Sequence, residues 1–513
     1  MLLSNPGTDF SSSVRNYRPG REGFRDLAGR YPIVPVWCEV LADSQTPVAA
    51  FLRLQQSLPD AFLLESVEGG ERWARYSFLG GDSFATVVAK DGKIAASGDL
   101  PVRPEEGELP LAYVRRLLES CTVPELEGLP PFHGGAVGYL GYDCVRELEH
   151  LPDAPADDLG LPDLALLLTR LVIVFDHLMQ KAFIIANARP SDDSDADYDD
   201  ATERIEKVIA LLSKPLGAPA FDLSSATTPE FASDVDDGEY AAWVERAKEH
   251  ILAGDVFQVV PARRFESRLS GPAFDAYRIL RTLNPSPYMY FLRFANVVSG
   301  GLEIAGSSPE PLVRVSGGRV VTRPIAGTRS RGRTDEEDKA LEADLLADEK
   351  ERAEHVMLVD LARNDVGKVA EYGSVTVDEL MVVERYSHVM HIVSSVSGRL
   401  DPSRNAFDAL LACFPAGTVS GAPKVRAMQI IDSFERTRRG PYAGVVGYFD
   451  FSGNLDTCIT IRTIVATGGH AYVQAGAGVV ADSVPQAEAD ETRRKAEALL
   501  TAVNAASSLA APP

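Results

Sequence analysis

The feature that most constrains the fold is the alternation of short strand-like runs with long helical patterns in the second half of the chain. Runs such as VVTRPIAGT and CITIRTIV predict strands, and two long helices are predicted over about residues 335–363 and 485–506. The first helix opens with acidic residues after Thr334, and the second opens at Pro485, which suits the first helical position. The pattern predicts a mixed α/β chain.

Composition divides the chain into segments. Residues 1–30 are polar and predict a flexible N-terminal tail, whereas residues 31–212 carry strand-like runs such as AFLLESV, RYSFLG and LLTRLVIVF, followed by a helical pattern. Residues 213–237 are rich in Pro, Ala, Ser and Thr, which predicts a linker. A second domain is predicted over residues 238–507, and we expect the two domains to share a sheet core.

The charge of the chain argues against polyanionic partners. The 513 residues contain 51 Lys and Arg against 74 Asp and Glu, a formal net charge of −23. Such a field opposes binding to nucleic acid or to an anionic membrane surface. The most apolar stretch, residues 164–175, is short and contains Thr169 and Arg170, so it predicts core strands and no membrane span.

The five cysteines stand apart at Cys38, Cys121, Cys144, Cys413 and Cys458, with no Cys-x-x-Cys pair. We expect them to be reduced, mostly buried thiols of a cytoplasmic protein. The first twenty residues show no basic segment followed by an apolar one, so we expect no secretory signal.

One acidic segment superficially resembles a calcium-binding loop. Asp195, Asp197 and Asp199 alternate along the chain, and Glu206 occupies the twelfth position of such a loop. The sixth position is Asp200, where the loop requires glycine for its sharp turn. We therefore interpret the segment as an acidic loop that caps a helix.

Two further short motifs are weak. Gly476 begins a Gly-x-Gly-x-x-Ala run after a strand, but no phosphate-binding helix starts directly and no second strand with a ribose-binding acid follows. His388 and His391 are spaced as two metal ligands could be, yet such pairs in apolar surroundings more often pack or form hydrogen bonds. Neither motif predicts a cofactor site.

Two pairs of glutamates carry more weight. Glu351 and Glu354 share one face of the first long helix, and Glu488 and Glu491 share one face of the second, with Lys495 one turn further on. Four carboxylates around one point repel each other unless a cation lies between them. An all-oxygen ligand set favours Mg²⁺, although such glutamate pairs are also common on solvated helices.

Long segments of the chain resemble the chorismate-utilising enzymes, and most closely the large aminase–lyase subunits of that family. The resemblance extends over about residues 34–500. It implies an α/β (α+β) fold of two stacked antiparallel β-sheets flanked by helices, with the active site in a cleft of the C-terminal domain. The segments that carry it are DEKERAEHVMLVDLARNDVGKV (348–369), RYSHVMHIVSSVSG (385–398), FPAGTVSGAPKVRAM (414–428), GPYAGVVGYFD (440–450) and AGAGVVADSVPQAEADETRRKA (475–496).

The resemblance implies a magnesium site on the glutamate pairs. Glu354 and Glu491 match direct ligands of Mg²⁺, and Glu351 and Glu488 match residues that hold it through water. The metal would bind the ring carboxylate of chorismate, and Lys495 would help to balance the charge of the carboxylates.

Further positions match residues that contact the substrate. A guanidinium at Arg462, with Tyr442 and the Gly476–Gly478 turn, would hold the enolpyruvyl carboxylate, for which a planar guanidinium is suited. Three more positions match substrate contacts: Gly327, Thr328 and Thr418.

The resemblance also implies the reaction. Glu310 matches a general acid that protonates the departing 4-hydroxyl while ammonia adds at C2 to give 2-amino-2-deoxyisochorismate. His391 matches the residue required for elimination of pyruvate, which aromatises the ring to anthranilate, the first committed step of tryptophan biosynthesis. A Lewis-acid metal, an acid, a proton shuttle and an anion clamp are what such chemistry requires.

Two positions discriminate between members of the family. The members that aminate C4 generally carry a nucleophilic lysine where this chain has Ala326, and alanine cannot be a nucleophile. Members that add water carry a lysine base where this chain has Gln258, whose amide does not titrate usefully. Both positions favour ammonia as the nucleophile at C2. The C4-aminating enzyme and a non-catalytic amino-acid sensor remain as alternatives.

No glutamine amidotransferase domain is visible, so we expect a separate glutaminase subunit as partner, or free ammonium as the nitrogen source. The segment 31–212 would be a regulatory domain. Its FLLES run, together with NPSPYM in the second half, resembles the family's tryptophan feedback site. Cys458 is a weak candidate for the path between this site and the active site, and a packed core cysteine is the favoured interpretation. The residues implied at the inhibitor site are Glu65, Ser66, Asn284, Pro285, Ser286, Pro287, Tyr288 and Met289.

Overall fold

The computed structural model describes residues 15–66, 75–217, 231–386 and 389–510. In the first half these residues form the strands β1 (Val34–Leu41), β2 (Ala61–Glu65), β3 (Tyr76–Lys90), β4 (Lys93–Gly98), β5 (Gly135–Leu140), β6 (Leu164–Asp176) and β7 (Lys181–Ala188). The helices of this half are α1 (Arg21–Ala28), α2 (Pro47–Leu54), α3 (Pro110–Ser120) and α4 (Ser194–Leu212), and a 3₁₀ turn covers Tyr142–Glu147.

The second half carries most of the strands. They are β8 (Ala232–Ser233), β9 (Gln258–Val259), β10 (Ala262–Arg268), β11 (Tyr288–Phe294), β12 (Leu302–Ser308), β13 (Pro311–Ser316), β14 (Arg319–Thr322), β15 (Ile325–Ser330), β16 (Thr376–Arg385), β17 (Val389–Arg399), β18 (Gly421–Ala422), β19 (Val445–Asp450), β20 (Leu455–Ile459), β21 (Thr463–Thr467) and β22 (His470–Gly476). Its helices are α5 (Asp237–Leu252), α6 (Ala273–Leu283), α7 (Asp335–Ala347), α8 (Glu349–Gly367), α9 (Ala406–Cys413), α10 (Lys424–Phe434) and α11 (Pro485–Ala510), with a 3₁₀ turn at Gly417–Val419.

The strands form two antiparallel sheets that are joined through β3 and β6. One sheet runs in the order β8, β10, β22, β21, β12, β11, β2, β3, β6, β7, β1. The other runs β4, β3, β6, β5, β19, β20, β13, β14, β17, and β17 also pairs with β15 and β16. The β3–β6 ladder is continuous from Tyr76 to Ala89 and shifts register between Ser83 and Ala85, where the strands pass from one sheet to the other.

A shared hydrophobic core lies between the two sheets. Phe62, Tyr290 and Ile304 from one sheet pack in the same cluster as Val137 and Val446 from the other. The outer face of each sheet packs against helices in a further cluster. Because β6 is covered on both faces, its sequence is almost continuously apolar. The predicted fold of two stacked antiparallel sheets flanked by helices is therefore confirmed.

Strands of the two predicted domains pair directly with each other. β2 of the first half pairs with β11, and β5 pairs with β19. The two halves consequently share their sheets, in line with the expected common core. Most of the predicted linker, residues 218–230, lies outside the described residues, whereas Ala232–Ser233 already pairs with β10 and α5 begins at Asp237.

The prediction of a flexible tail is wrong for residues 15–30. These residues include α1, whose Phe24 is fully buried in the core that β1 and α4 also line. Arg21 and Arg25 donate hydrogen bonds to Asp195 on α4. The acidic segment that resembles a calcium loop therefore binds arginine side chains. Residues 1–14 lie outside the described residues.

The long helix predicted over residues 335–363 is in fact two helices. The chain leaves helical geometry at Asp348 (φ −68°, ψ 109°), whose side chain accepts hydrogen bonds from the backbone N–H groups of Lys350 and Glu351. Arg329 on β15 pairs with Asp348 at 2.9 Å and fixes the break. The second predicted helix is longer than expected and continues to Ala510.

All five cysteine thiols are buried and unpaired, as expected. Among the described residues, no helix is both long enough and apolar enough to cross a membrane.

Candidate active site

The predicted catalytic, substrate-binding and metal-binding residues come from the second half, where β15, β17, α8 and α11 lie around the loop that follows β12. A two-stranded ladder of β9 with β18 joins this region, pairing Gln258 with Ala422 and Val259 with Gly421. Gly421 has φ 131°, and a Cβ there would lie 2.1 Å from the Gln258 carbonyl oxygen. Only glycine allows the two segments to approach this closely.

Glu310 and Thr418 are in direct contact. The Thr418 hydroxyl donates a hydrogen bond to Glu310 Oε2 at 2.8 Å, and the Glu310 carbonyl oxygen accepts from Ile459 N at 3.0 Å. Burial raises the pKa of the Glu310 carboxyl, and this outweighs the lowering by Thr418, Lys495 and Arg462. A carboxyl with a raised pKa is suited to donate a proton.

His391 is held in one tautomer by the backbone. Its Nδ1 lies 3.0 Å from the Gly327 carbonyl oxygen and 3.1 Å from the Thr328 hydroxyl. Because a carbonyl oxygen only accepts, Nδ1 carries the hydrogen, and Nε2 of the neutral ring has a free lone pair. Burial lowers the pKa of His391. The ring is therefore a neutral base with Nε2 as its basic atom.

The four glutamates form two pairs, as predicted, and burial raises the pKa of Glu351 and of Glu488. The like charge of the other pair member, Glu354 or Glu491, raises each pKa further, whereas a hydrogen bond with Ser483 lowers that of Glu488. The charge of Lys350 on α8 also lowers the pKa of Glu488 on α11, so these two side chains lie within electrostatic range of each other.

One glutamate of each pair makes a hydrogen bond or an ion pair with another side chain. Gln258 Nε2 donates to Glu354 Oε1 at 3.0 Å, and Lys495 Nζ lies 2.7 Å from Glu491 Oε1 and 2.9 Å from the Gly476 carbonyl oxygen. In the part of the chain that the structure describes, no three His, Cys, Asp or Glu side chains converge as a ready-made metal site. The donors nevertheless fit Mg²⁺ in type, since all are oxygens of partly buried carboxylates that stand in two like-charged pairs.

Arg462 lies among the same groups. Burial lowers the pKa of its guanidinium, against the opposing attraction of Glu310, Glu491 and Tyr442. Its backbone adopts φ 50°, an unusual value for a residue with a side chain. Such strain is often found at functional sites. A guanidinium among these groups can bind an anionic ligand.

The Gly476–Gly478 turn lies against two of the predicted residues. A Cβ at Gly476 would be 3.1 Å from the Tyr442 hydroxyl oxygen, and a Cβ at Gly478 would be 2.8 Å from Gln258 Nε2. Both glycines therefore permit close approach to the site.

The predicted inhibitor residues divide into two groups. Glu65, Ser66, Pro287, Tyr288 and Met289 line an apolar cavity of about 80 Å³ between the two sheets. Cys458 lines the same cavity, together with Tyr448 and Asp456.

The remaining inhibitor residues make other contacts. Asn284 and Ser286 bond to Ser307, Asn284 through its Nδ2 at 3.2 Å and Ser286 through its hydroxyl at 2.9 Å. Asn284, Pro285 and Ser286 are not among the residues that line the cavity.

Glu65 differs from expectation in its contacts. Its carboxylate accepts from the Tyr277 hydroxyl at 2.7 Å and from Arg281 Nη2 at 3.0 Å. A ligand ammonium would have to compete with these two donors.

His388, the first histidine of the discounted metal motif, lies outside the described residues. Sequence reasoning missed Tyr240, whose hydroxyl accepts from Ala477 N at 3.2 Å and donates to the Pro261 carbonyl at 2.9 Å, and so supports the glycine turn. It also missed Arg329, which lies 3.6 Å from Glu351. Neither residue lies in a motif whose spacing relates it to the site.

The chorismate binding enzyme family matches residues 61–501 of this chain. The chain belongs to this family. Its predicted membership and its predicted nature as a chorismate-utilising enzyme are thereby confirmed.

Named relatives extend over nearly the whole chain. Anthranilate synthase component 1 of Mycolicibacterium smegmatis is 49% identical over 498 residues, covering 96% of this chain and 95% of that protein. The protein of the same name from Aquifex aeolicus is 48% identical over 490 residues, covering 94% and 97%. Within the family, the chain groups with these component 1 proteins.

Solved structures agree on the fold. The crystal structure of anthranilate synthase component I from Streptococcus pneumoniae superposes with a TM-score of 0.75 at 37% identity, covering 90% of this chain and 99% of that one. The menaquinone-specific isochorismate synthase MenF of Escherichia coli has a TM-score of 0.69 at 21% identity, covering 94% and 98%. The second likeness concerns the fold alone.

Proposed function

We propose that this family member catalyses the magnesium-dependent conversion of chorismate and ammonia to anthranilate and pyruvate through 2-amino-2-deoxyisochorismate. The observation that carries the proposal is that an acid of raised pKa, Glu310, and a neutral base, His391, both lie within electrostatic range of Arg462. The Nδ1 hydrogen of His391 is fixed by Gly327. Ala326 and Gln258 stand where relatives of other specificity would need a lysine. These two positions favour ammonia over an enzyme nucleophile or water.

The two residues divide the reaction between them. Glu310 donates its proton to the 4-hydroxyl, which leaves as water while ammonia bonds to C2 and then loses a proton. Nε2 of His391 then takes the hydrogen at C2 as a proton. The C3–O bond breaks, and the enolpyruvyl group leaves and is protonated to pyruvate. Arg462, with Tyr442 beside it, would bind the enolpyruvyl carboxylate.

Magnesium would be held by Glu354 and Glu491 directly and by Glu351 and Glu488 through water. When bound, it would polarise the ring carboxylate of chorismate and neutralise the carboxylate cluster. Glu354 and Glu491 must first exchange their contacts with Gln258 and Lys495.

The proposal also covers the source of the ammonia and the cellular location of the reaction. Ammonia would come from a glutamine amidotransferase subunit, in keeping with relatives that are named component 1, or from free ammonium at high pH. The pathway would be tryptophan biosynthesis in the cytoplasm.

The first test is chorismate turnover by the purified chain with Mg²⁺ and ammonium at alkaline pH, followed by the fluorescence and mass of the product. Anthranilate with stoichiometric pyruvate is the expected result. A 4-amino product that keeps the enolpyruvyl group would instead assign the chain to the C4-aminating enzymes. Absence of turnover would favour the amino-acid sensor.

Removal of magnesium is expected to abolish anthranilate formation. EDTA should reduce the rate to background, and excess Mg²⁺ should restore it. Glu491→Gln should raise the Mg²⁺ concentration required for half-maximal rate by about tenfold or more, because a neutral amide is a weaker ligand than a carboxylate. Glu497→Gln, at an exposed position on the same helix, is the matched control. Full activity after EDTA treatment would refute the magnesium site.

Tryptophan is expected to inhibit the enzyme by binding in the cavity between the sheets. Leu64→Phe adds volume to a wall of that cavity and should raise the tryptophan concentration for half-inhibition at least tenfold, relative to the variant's own uninhibited rate. Ile94→Phe, on β4 and away from the cavity, should be inhibited normally. Normal inhibition of the Leu64 variant would place the inhibitor elsewhere.

A further inference from the structure

A fully buried ion pair lies next to the candidate site but includes none of its predicted residues. Arg439 and Glu435 have side chains only 1% and 3% exposed. The guanidinium donates through Nε at 2.9 Å and through Nη2 at 2.6 Å to the Glu435 carboxylate. Glu435 Oε1 also accepts from Ala262 N at 2.9 Å. The pair therefore joins the end of α10 to the start of β10.

The same guanidinium bonds to two further backbone segments. Nη1 donates to the Val419 carbonyl oxygen, and Nη2 donates to the Val260 carbonyl oxygen, each at 2.7 Å. Val419 directly follows Thr418, the hydrogen-bond partner of Glu310. Val260 lies two residues after Gln258, the partner of Glu354.

Two aromatic rings complete the surroundings of Arg439. The guanidinium carbon lies 4.6 Å from the centre of the Tyr142 ring and 5.5 Å from that of Tyr442. Both distances are within the range of cation–π attraction. Tyr442 is the tyrosine of the proposed carboxylate clamp, so a third part of the site is in contact with this one side chain.

Arginine is the side chain that can make all these contacts at once. Its planar group presents five N–H donors in a fixed geometry, whereas the lysine ammonium has three donors around one nitrogen and cannot span the same acceptors. A buried charge is costly unless its hydrogen bonds are satisfied, and here the contacts satisfy it.

We propose that Arg439, held by Glu435, is a positioning residue that sets Thr418, Gln258 and Tyr442 relative to one another for catalysis. This inference rests on the proposed function, because it concerns the same reaction. Without the guanidinium, Thr418 would shift and disturb the acid Glu310, which lowers kcat. Tyr442 would also shift and weaken the carboxylate clamp, which raises KM for chorismate.

The test compares Arg439→Lys with Arg146→Lys in the full-length chain, at a temperature where both are folded by circular dichroism. Arg146 forms a similar ion pair with Asp432 and Asp143, at 2.9 Å in each case, but contacts none of the three site segments. We expect Arg439→Lys to lower kcat at least tenfold and to raise KM for chorismate. Arg146→Lys should leave both within twofold of the wild type.

A double-mutant cycle separates positioning from general destabilisation. If Arg439 acts through Thr418, the kcat losses of Arg439→Lys and Thr418→Val are less than multiplicative in the double variant. Multiplicative losses, or an Arg439→Lys enzyme with kcat and KM within twofold of the wild type, would overturn the inference. If Arg439→Lys does not fold, Glu435→Gln is judged by the same criteria. Absence of anthranilate formation by the wild-type chain would instead refute the proposed function.

Discussion

Glu310→Gln is expected to lower kcat for anthranilate formation by about 10²–10⁴-fold, the usual contribution of a general acid. The amide has the size of the carboxyl and can still accept the hydrogen bond from the Thr418 hydroxyl, but it has no proton to give to the leaving 4-hydroxyl. KM for chorismate should change little, because the proposed carboxylate clamp is untouched. Steady-state fluorescence of anthranilate measures both constants.

Thr418→Val is the informative companion to this variant. It removes the hydroxyl that stabilises the Glu310 carboxylate and leaves the acid in place, so its effect on kcat should be far smaller. A Glu310→Gln enzyme that keeps more than a tenth of the wild-type kcat would exclude Glu310 as the acid. Equal losses in the two variants would point to a role for the hydrogen bond itself.

The pH dependence follows from the direction of the pKa shift at Glu310. Burial raises the pKa of this carboxyl, so its protonated, active form persists to higher pH than in an exposed glutamate. The rate should therefore fall as pH rises through that pKa, and this limb should be absent from the residual activity of Glu310→Gln. A limb that persists in the variant would belong to another group.

The motifs contain the residue types of the candidate site, but they do not show which of these residues contact each other. Gly327 and His391 appear in separate motifs, 64 residues apart, and only the structure joins them through the bond that fixes the tautomer. The same holds for Glu310 with Thr418, which are 108 residues apart. One sequence shows which residue types are present, whereas hydrogen-bond partners depend on the tertiary fold.

Local propensity explains why the sequence predicts one helix where the structure has two. The segment around Asp348 contains neither Gly nor Pro, so helical periodicity continues across it and predicts one helix. At the break, Asp348 bonds to Arg329, a residue of β15 that is distant in the sequence. Tertiary contacts likewise order residues 15–30, because Phe24 gains a buried position that polar composition alone does not predict. Arg439 was missed for the same reason, since its acceptors lie in distant segments.

His391→Asn is expected to stop the second half of the reaction, the elimination of pyruvate, and to leave the first half, ammonia addition, intact. The asparagine amide can still donate to the Gly327 carbonyl, but it cannot take a proton from C2 as Nε2 does. Ammonia addition should continue while elimination stops, so an aminated product that retains the enolpyruvyl group should accumulate. Anthranilate and pyruvate should both fall by about 10²-fold or more. Liquid chromatography with mass detection follows all three compounds and the consumption of chorismate.

The pH dependence of the wild-type enzyme provides a second test of the role of His391. Because burial lowers the pKa of His391, the neutral base is present at neutral pH, and elimination should fail only as acid protonates Nε2 below the ordinary histidine range. Glu310→Gln should block chorismate consumption itself, whereas His391→Asn should spare it. If His391→Asn slows chorismate consumption as much as anthranilate formation, the histidine acts before elimination. The assignment of one residue to each half-reaction would then be wrong.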